Sequence, residues 1–231
     1  MINNLTESPT IIFDRDGTLL DFSNMFLNFI LALHESEQLT PPTAEFILSL
    51  EYWKAIISKE LYIGAIRVRD RIDTIPINYM HYGQLYPGVN ASLKKIRTTG
   101  VKMAIVSGWV GTDATYNFMA QEGLSSCFDF ILTCDDLNRD RESEHHSSGY
   151  LSAKKLLLDM AIRKLETEPS RTIVVGDSPE DIEAGKVLNT TTVAVLTGNG
   201  QKQRESIEAL NPDRIINSVA ELPELLNAAN H

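Results

Sequence analysis

The order of apolar and polar positions divides the chain into three stretches. Residues 11–13 are consecutive apolar side chains, which predicts a short strand covered on both faces in a parallel sheet. Residues 21–86 carry apolar side chains at helical spacing, with breaks at Pro41 and Pro42 and at Gly64, and they show no strand pattern. We therefore predict a block built from helices alone directly after the first strand.

From Pro87 onward, short apolar runs alternate with helical segments. We predict helices at 90–99, 112–122, 152–165 and 179–187, and strands at 103–106, 128–132, 172–175 and 192–196. Such alternation is typical of a parallel sheet with helices on both faces. The predicted fold class is α/β: a Rossmann-like parallel sheet formed by residues 1–20 and 87–231, with a small all-helical domain at 21–86 inserted after the first strand.

Composition narrows the classes of partner. The 231 residues carry a formal net charge of −10, which disfavours nucleic acid and anionic membrane surfaces because both select basic faces. An anionic substrate would therefore need local positive charge or a metal ion. No apolar run reaches the roughly 18 residues of a membrane span, and residues 1–10 do not form an export signal. A cytoplasmic location is expected.

Two carboxylates directly follow the first predicted strand. Asp14 and Asp16 are two positions apart in near-extended backbone, so their side chains lean the same way. Gly17 permits a turn and Thr18 adds a hydroxyl. Neighbouring carboxylates repel each other, so they need a cation, a shared proton or abundant water. An acidic turn that merely ends the strand is the alternative interpretation.

A second pair of acids, Asp177 and Asp181, follows the predicted strand at 172–175. Ser178 fits the N-cap of the next helix, and Asp181 occupies the acidic position of a capping box. Asp181 is therefore either a helix cap or a site residue. Asp177 precedes the cap and is the better candidate for a ligand.

Three of the predicted strands are followed by polar residues at their carboxyl ends, namely Asp14, Ser107 and Asp177. Because ligands of open parallel sheets bind beyond the carboxyl ends of the strands, we expect these residues to meet at one edge. Asp14 and Asp177 together offer hard oxygen ligands, which suit Mg²⁺.

A fixed cation and anion-binding donors complete this set. Lys154 and Lys155 lie near the start of a predicted helix, where either would neutralise carboxylates and an incoming phosphoryl group. Ser107 and Gly108 offer a hydroxyl and backbone donors to a phosphoryl oxygen. A solvated lysine and an ordinary strand-to-helix turn are the alternative interpretations.

Taken in chain order, these motifs resemble the four-motif signature of phosphatases of the haloacid dehalogenase (HAD) superfamily. The matching residues are Asp-Arg-Asp-Gly-Thr at 14–18, Ser107, a lysine, and Gly-Asp-Ser-Pro-Glu-Asp at 176–181. The block at 21–86 resembles the helical cap of that family, and 86–89 and 197–200 resemble its phosphoglycolate-phosphatase-like branch. The resemblance implies a phosphatase acting on a small phosphorylated metabolite, with a core at 1–20 and 87–231 and a cap at 21–86.

The resemblance also implies the roles of the acids. Asp14 is implied to be the nucleophile that forms an aspartyl-phosphate. Asp16 is implied to protonate the leaving oxygen and then to activate water. Asp14, the backbone carbonyl of Asp16, and Asp177 are implied to hold Mg²⁺.

The remaining motif residues are implied to bind the phosphoryl group. Ser107 and Lys154 would contact its oxygens, while Gly108 and Thr18 would shape the loop around it. Asp181 would support the metal or the lysine.

The chain departs from the family pattern in two places. The Lys-Pro pair frequent at the third motif is missing, although the spacing to Asp177 favours Lys154 over Lys155. A long acidic loop with two adjacent histidines is expected at 135–149. Arg15, between the two acids, is expected to face either the substrate or the solvent.

Two other functions fit the same residues. A phosphomutase of the same family would return the aspartyl phosphate to the substrate instead of transferring it to water. A non-enzymatic phospho-acceptor or binding module would also gather acids, a hydroxyl and a lysine at a sheet edge. Such a module needs neither Asp16 nor a helical block. The presence of both in this chain therefore favours an enzyme over a binding module.

Overall fold

The computed structural model describes residues 9–139 and 150–228. The chain forms two compact units, one of Met1–Asp21 with Leu85–His231 and the other of Phe22–Gln84. The insertion of a domain at 21–86 stays a prediction about domain organisation. No helix in the described ranges is both long and apolar enough to cross a membrane.

The strands are, in chain order, β1 (Thr10–Phe13), β2 (Leu20–Asp21), β3 (Tyr62–Ile63), β4 (Ile66–Arg67), β5 (Gln84–Leu85), β6 (Met103–Val106), β7 (Phe130–Leu132), β8 (Thr172–Gly176), β9 (Thr191–Val195) and β10 (Arg214–Ile216). The α-helices are α1 (Ser23–Ser36), α2 (Ala44–Ile47), α3 (Leu50–Ile57), α4 (Thr74–Asn78), α5 (Val89–Arg97), α6 (Thr112–Gln121), α7 (Cys134–Arg139), α8 (Tyr150–Lys164), α9 (Pro179–Val187), α10 (Arg204–Ala209) and α11 (Leu222–Ala228). Short 3-10 turns lie at Val68–Asp70, Met80–Tyr82, Pro169–Arg171 and Val219–Glu221.

The first unit is built on a six-stranded sheet with the order β10-β9-β8-β1-β6-β7. Every neighbouring pair of strands in it is parallel. Ile11, Ile12 and Phe13 in the central strand β1 are all 0% exposed. Because successive side chains point to opposite faces, both faces of the sheet are covered at β1. The predicted α/β class is confirmed.

One face of this sheet packs against α8 and α9. Its apolar cluster joins Ile12, Val106 and Val174 from the strands with Leu157 and Leu158 from α8. This packing fixes α8 over the strand ends that carry the candidate site residues.

The second unit is not built from helices alone, so the expectation of an all-helical block is wrong in this detail. β3 and β4 form an antiparallel hairpin in which Ile63 pairs with Ile66. Gly64, which the pattern suggests as a helix break, is the first turn residue and has a φ of +56°. Such two-residue hairpin turns need a positive φ, which glycine adopts without a steric cost.

The apolar segment after Thr43 forms two short helices, α2 and α3. Thr43 caps α2 by accepting a hydrogen bond from Phe46 N, and Ser49 caps α3 by accepting one from Tyr52 N. A new helix begins directly after Ser49. The Ser49 hydroxyl accepts the hydrogen bond of a first-turn amide that has no carbonyl acceptor within the helix.

The prediction of a long loop at 135–149 is also partly wrong, since α7 covers Cys134–Arg139. The Asp136 carboxylate accepts a hydrogen bond from Thr133 N (2.8 Å), which supports the first turn of this helix. The two histidines at 145 and 146 lie outside the described residues.

Candidate active site

Three candidate residues directly follow three neighbouring strands. Asp14 follows β1, Ser107 follows β6 and Asp177 follows β8, and β1 lies between the other two. The later strands lie on both sides of β1, so the strand order reverses there, as it does at the ligand crevice of open α/β sheets. All three residues are buried.

Asp14, Asp177 and Asp181 form a buried cluster of carboxylates. Each offers one oxygen, and these oxygens all lie within 4.8 Å of one another. Burial raises the pKa of the Asp14 carboxyl to about 7; Lys154 opposes this shift, and Asp181 and Asp16 add to it. Burial also raises the pKa of Asp177, with a further contribution from Asp14 and Asp181. A cluster of this kind favours a bound cation.

Lys154 supplies the positive charge inside this cluster. Its Nζ lies 2.5 Å from Asp14 Oδ1 and 2.7 Å from Asp181 Oδ1, and it donates to the backbone oxygen of Val106 at 2.9 Å. The Lys154 side chain is 1% exposed, whereas Lys155 is exposed. Of the two lysines considered from the sequence, Lys154 is therefore the one that contacts the carboxylates.

Asp181 uses its two oxygens for different purposes. Oδ2 accepts hydrogen bonds from Ser178 N (3.2 Å) and Ser178 Oγ (2.7 Å). Asp181 N in turn donates to Ser178 Oγ (3.3 Å), which completes the capping box of α9. Oδ1 makes the ion pair with Lys154. The helix cap of α9 therefore fixes the same carboxylate that contacts the lysine. Gly176 allows this approach, since a Cβ there would lie 2.3 Å from Asp181 Cβ.

Asp16 belongs to a second group of contacts beside this cluster. Its Oδ2 accepts a hydrogen bond from Ser107 Oγ at 3.3 Å and another from Arg15 Nε at 2.8 Å. Ser107 Oγ also accepts one from Trp109 N at 3.1 Å. Gly108 lies in the same turn, and its carbonyl accepts a hydrogen bond from Cys134 Sγ at 3.0 Å.

Asp177 is held by two loop segments, one at 17–18 and the other at 198–199. Thr18 Oγ1 donates to its Oδ1 at 3.2 Å, and Asn199 N donates to its Oδ2 at 2.8 Å. Gly17 (φ +88°) and Gly198 (φ +55°) pass so close that a Cβ on either would lie 2.2 or 2.3 Å from Asp177 Oδ2. Glycine is therefore required at both positions for the backbone to reach the carboxylate.

This geometry agrees with a comparison of the whole chain with known families. The family model described as haloacid dehalogenase-like hydrolase matches residues 11–195. The chain belongs to this family.

Individual relatives of this HAD-like hydrolase cover nearly its whole length. It is 24% identical over 230 residues to pyrophosphatase PpaX of Bacillus mycoides, which covers 96% of this chain and 98% of that protein. Pyrophosphatase PpaX of Oceanobacillus iheyensis is 25% identical over 224 residues, or 92% of this chain and 94% of that one.

Solved structures show the same fold. A predicted phosphatase from Clostridium acetobutylicum superposes with a TM-score of 0.72 at 18% identity, covering 96% of this chain and 100% of that one. A predicted phosphoglycolate phosphatase from Haemophilus somnus gives a TM-score of 0.67 at 18% identity, covering 96% and 99%.

The sequence of this HAD-like hydrolase left several residues at the site without a role. In the sequence, Gly198 and Asn199 show only a resemblance to one branch of the family, yet both border Asp177. Tyr86 Oη accepts a hydrogen bond from Gly198 N at 3.0 Å, and burial, followed by Asp21 and Asp177, raises the pKa of its phenol. The position of Gly198 in the loop that follows β9, three residues after the end of the strand, is the signal that identifies this loop.

Arg15 faces neither of the two environments expected from the sequence. The side chain is 0% exposed and contacts Asp16, Val110 and Thr115. Local pattern does not reveal this placement because two of the partners lie about a hundred positions later in the chain.

Proposed function

We propose that the protein is a Mg²⁺-dependent phosphatase that hydrolyses a phosphate monoester of a small metabolite through an aspartyl-phosphate intermediate. The supporting observation is the buried contact between Asp14 and Lys154, beside two further carboxylates at the carboxyl ends of parallel strands. A carboxylate attacks an anionic phosphoryl group only where nearby positive charge offsets the repulsion. Membership of a hydrolase family supports the proposal.

The proposed chemistry has two steps. In the first, an Asp14 oxygen bonds to phosphorus, the bond from phosphorus to the ester oxygen breaks, and Asp16 gives its proton to that oxygen. In the second, Asp16 takes a proton from water as the water oxygen bonds to the same phosphorus. The bond from phosphorus to Asp14 then breaks, and inorganic phosphate leaves.

The residues at the site fit a divalent cation. Asp14 and Asp177 are buried carboxylates whose pKa values are raised by burial and by neighbouring acids, and a divalent cation would offset this concentration of negative charge. We propose that these two side chains and the backbone carbonyl of Asp16 hold Mg²⁺. The bound ion would shield the negative charge of the phosphoryl group.

The other motif residues are proposed to bind the phosphoryl oxygens or to position the groups that bind them. Lys154 and the hydroxyl of Ser107 would bind them directly, and the backbone at Gly108 would line the same turn. Thr18 would act through Asp177, to which its hydroxyl donates. Asp181 would hold Lys154 in place through its ion pair.

The choice of substrate is proposed to depend on residues 21–86, acting as a cap domain. The relatives named pyrophosphatase make inorganic pyrophosphate a second candidate substrate beside phosphorylated metabolites. A phosphomutase would use the same residues but would give a phosphorylated isomer instead of inorganic phosphate.

The test is release of inorganic phosphate from p-nitrophenyl phosphate, pyrophosphate and a panel of phosphorylated metabolites, with and without Mg²⁺. We expect release only with the metal from the wild type and none from Asp14→Asn. We expect Asp16→Asn to react slowly and to accumulate a covalent phospho-enzyme, which intact-protein mass spectrometry detects. Metal-dependent release by Asp14→Asn at the wild-type rate would refute the proposal.

A further inference from the structure

Arg15 is a charged side chain with no exposure to solvent. Burying a guanidinium is costly unless its donors are paired, so the partners of Arg15 determine what its burial achieves. The side chain spans two parts of the first unit: one side of the guanidinium contacts Asp16, and the other contacts the start of α6.

The two nitrogens of Arg15 that face Asp16 both contact the same carboxylate oxygen, Oδ2. Arg15 Nε donates to Asp16 Oδ2 at 2.8 Å, and Nη2 lies 2.7 Å from the same oxygen. Ser107 Oγ also donates to Oδ2, at 3.3 Å. Oδ1 is buried, and it accepts no hydrogen bond from the described part of the chain. Oδ2 therefore takes the donors of both Arg15 and Ser107, whereas the lone pairs of Oδ1 are not engaged by the described part of the chain.

The opposite side of the guanidinium is anchored to the backbone and side chains before and within α6. Arg15 Nη1 donates to Val110 O at 3.0 Å and to Thr115 Oγ1 at 2.7 Å. Thr115 is itself 0% exposed, and its hydroxyl donates to Gly111 O at 2.7 Å. These contacts leave the guanidinium one orientation, and a lysine at this position would not reach both sides at once.

We propose that Arg15 is a positioning residue that holds Asp16 by Oδ2, so that Oδ1 is the oxygen that gives and takes the catalytic proton. The inference rests on the proposed function, in which Asp16 protonates the leaving oxygen. It assigns no contact between Arg15 and the substrate.

Two substrates with different leaving groups distinguish a role in positioning Asp16 from a general effect on stability. Phenyl phosphate needs protonation of its leaving oxygen more than p-nitrophenyl phosphate does, because phenoxide is the more basic leaving group. In Arg15→Met we expect kcat/KM for phenyl phosphate to fall by about 100-fold, which is the usual size of a general-acid effect. We expect a fall of about 10-fold or less for p-nitrophenyl phosphate.

Three further variants complete the experiment. Thr115→Val removes one anchor of the guanidinium without changing the volume, so it should lower the phenyl phosphate rate selectively by a few fold. Arg15→Lys should recover part of the loss because it keeps the charge. Arg97→Met is the matched control, since Arg97 also pairs with a carboxylate, Asp129, and a backbone oxygen. It should change both substrates equally.

The outcomes are distinct. If Arg15→Met and Thr115→Val lower kcat/KM equally for the two esters while the wild type remains active, the positioning role is wrong and the proposed function stands. If the wild type hydrolyses neither ester in the presence of Mg²⁺, the proposed function and this inference are both wrong. If Arg15→Met does not fold, Thr115→Val alone decides between a selective and a uniform loss.

Discussion

Lys154 Nζ lies 2.5 Å from Asp14 Oδ1, across 140 positions of the sequence. The same nitrogen contacts Asp181, so one lysine joins the end of β1 to the first turn of α9. Because α8 packs on the sheet through its apolar face, the lysine reaches the carboxylates from a fixed direction. The contact is therefore a consequence of the fold as well as a part of the site.

Lys154→Met should abolish activity and destabilise the protein. Removing one partner of a buried ion pair leaves the other charge uncompensated, which costs about 3–5 kcal/mol. Phosphate release should fall by at least about 100-fold because a donor to the transition state is lost. The measurements are phosphate release and the free energy of unfolding in urea.

Lys155→Met is the control for this change, because Lys155 is exposed and adjacent. Its activity and unfolding free energy should stay close to the wild-type values. Equal losses of activity and stability in the two variants would show that Lys154 contributes no more to either than an exposed lysine does.

The metal-free protein should lose stability as the pH rises from about 4 to about 7. The pKa of Asp14 is about 7 in the folded state, against an ordinary value of 3.8, and that of Asp177 is also raised. The native state therefore binds more protons than the unfolded state between these pH values, so the free energy of unfolding falls as they are released. Urea titrations at several pH values in the presence of a chelator measure this slope.

Asp14→Asn provides the comparison, since an amide does not titrate. Its unfolding free energy should depend less steeply on pH, and at pH 8 the variant should be more stable than the metal-free wild type by on the order of 2 kcal/mol. Parallel curves for the two proteins would show that Asp14 does not have a raised pKa.

The parts of the fold that the sequence predicted correctly are those governed by local pattern. The apolar run at 11–13 predicted a strand covered on both faces, and β1 is such a strand. The carboxyl ends of parallel strands necessarily share an edge, so the closeness of Asp14 and Asp177 also followed from the pattern.

The parts that the sequence did not predict depend on distant contacts. Arg15 is buried because Val110 and Thr115 receive its donors, and no local rule connects these residues. The hairpin of β3 and β4 gives no signal in the sequence, because strands of two residues are too short to show alternation. Gly64 could be identified as a turn residue only once its backbone angle was known.

Ser178→Ala should weaken both the fold and the reaction. Loss of the N-cap costs about 1 kcal/mol, and Asp181 Oδ2 loses the hydroxyl that fixes it. Because Asp181 pairs with Lys154, phosphate release should fall by several fold. Ser49→Ala removes the N-cap of α3 and should lower stability alone. An equal effect of both changes on activity would argue against a link between this cap and the lysine.

Gly17→Ala should remove activity and destabilise the protein beyond the cost of its backbone angle. A Cβ at this position would lie 2.2 Å from Asp177 Oδ2, so the carboxylate or the loop must move. We expect Mg²⁺ affinity, measured by isothermal titration calorimetry, to fall by at least about 10-fold, since displaced ligands bind metal weakly.

Gly100→Ala separates the two causes, because Gly100 has a similar φ of +78° but its Cβ would meet nothing within 4 Å. This control should be destabilised by about 1–2 kcal/mol, the cost of a left-handed backbone for a residue with a Cβ. Its Mg²⁺ affinity and phosphate release should match the wild type. If Gly17→Ala loses only the same stability and binds Mg²⁺ normally, the close approach of the loop to Asp177 has no part in holding the metal. The loss of metal affinity in Gly17→Ala alone would instead tie the glycine to the carboxylate.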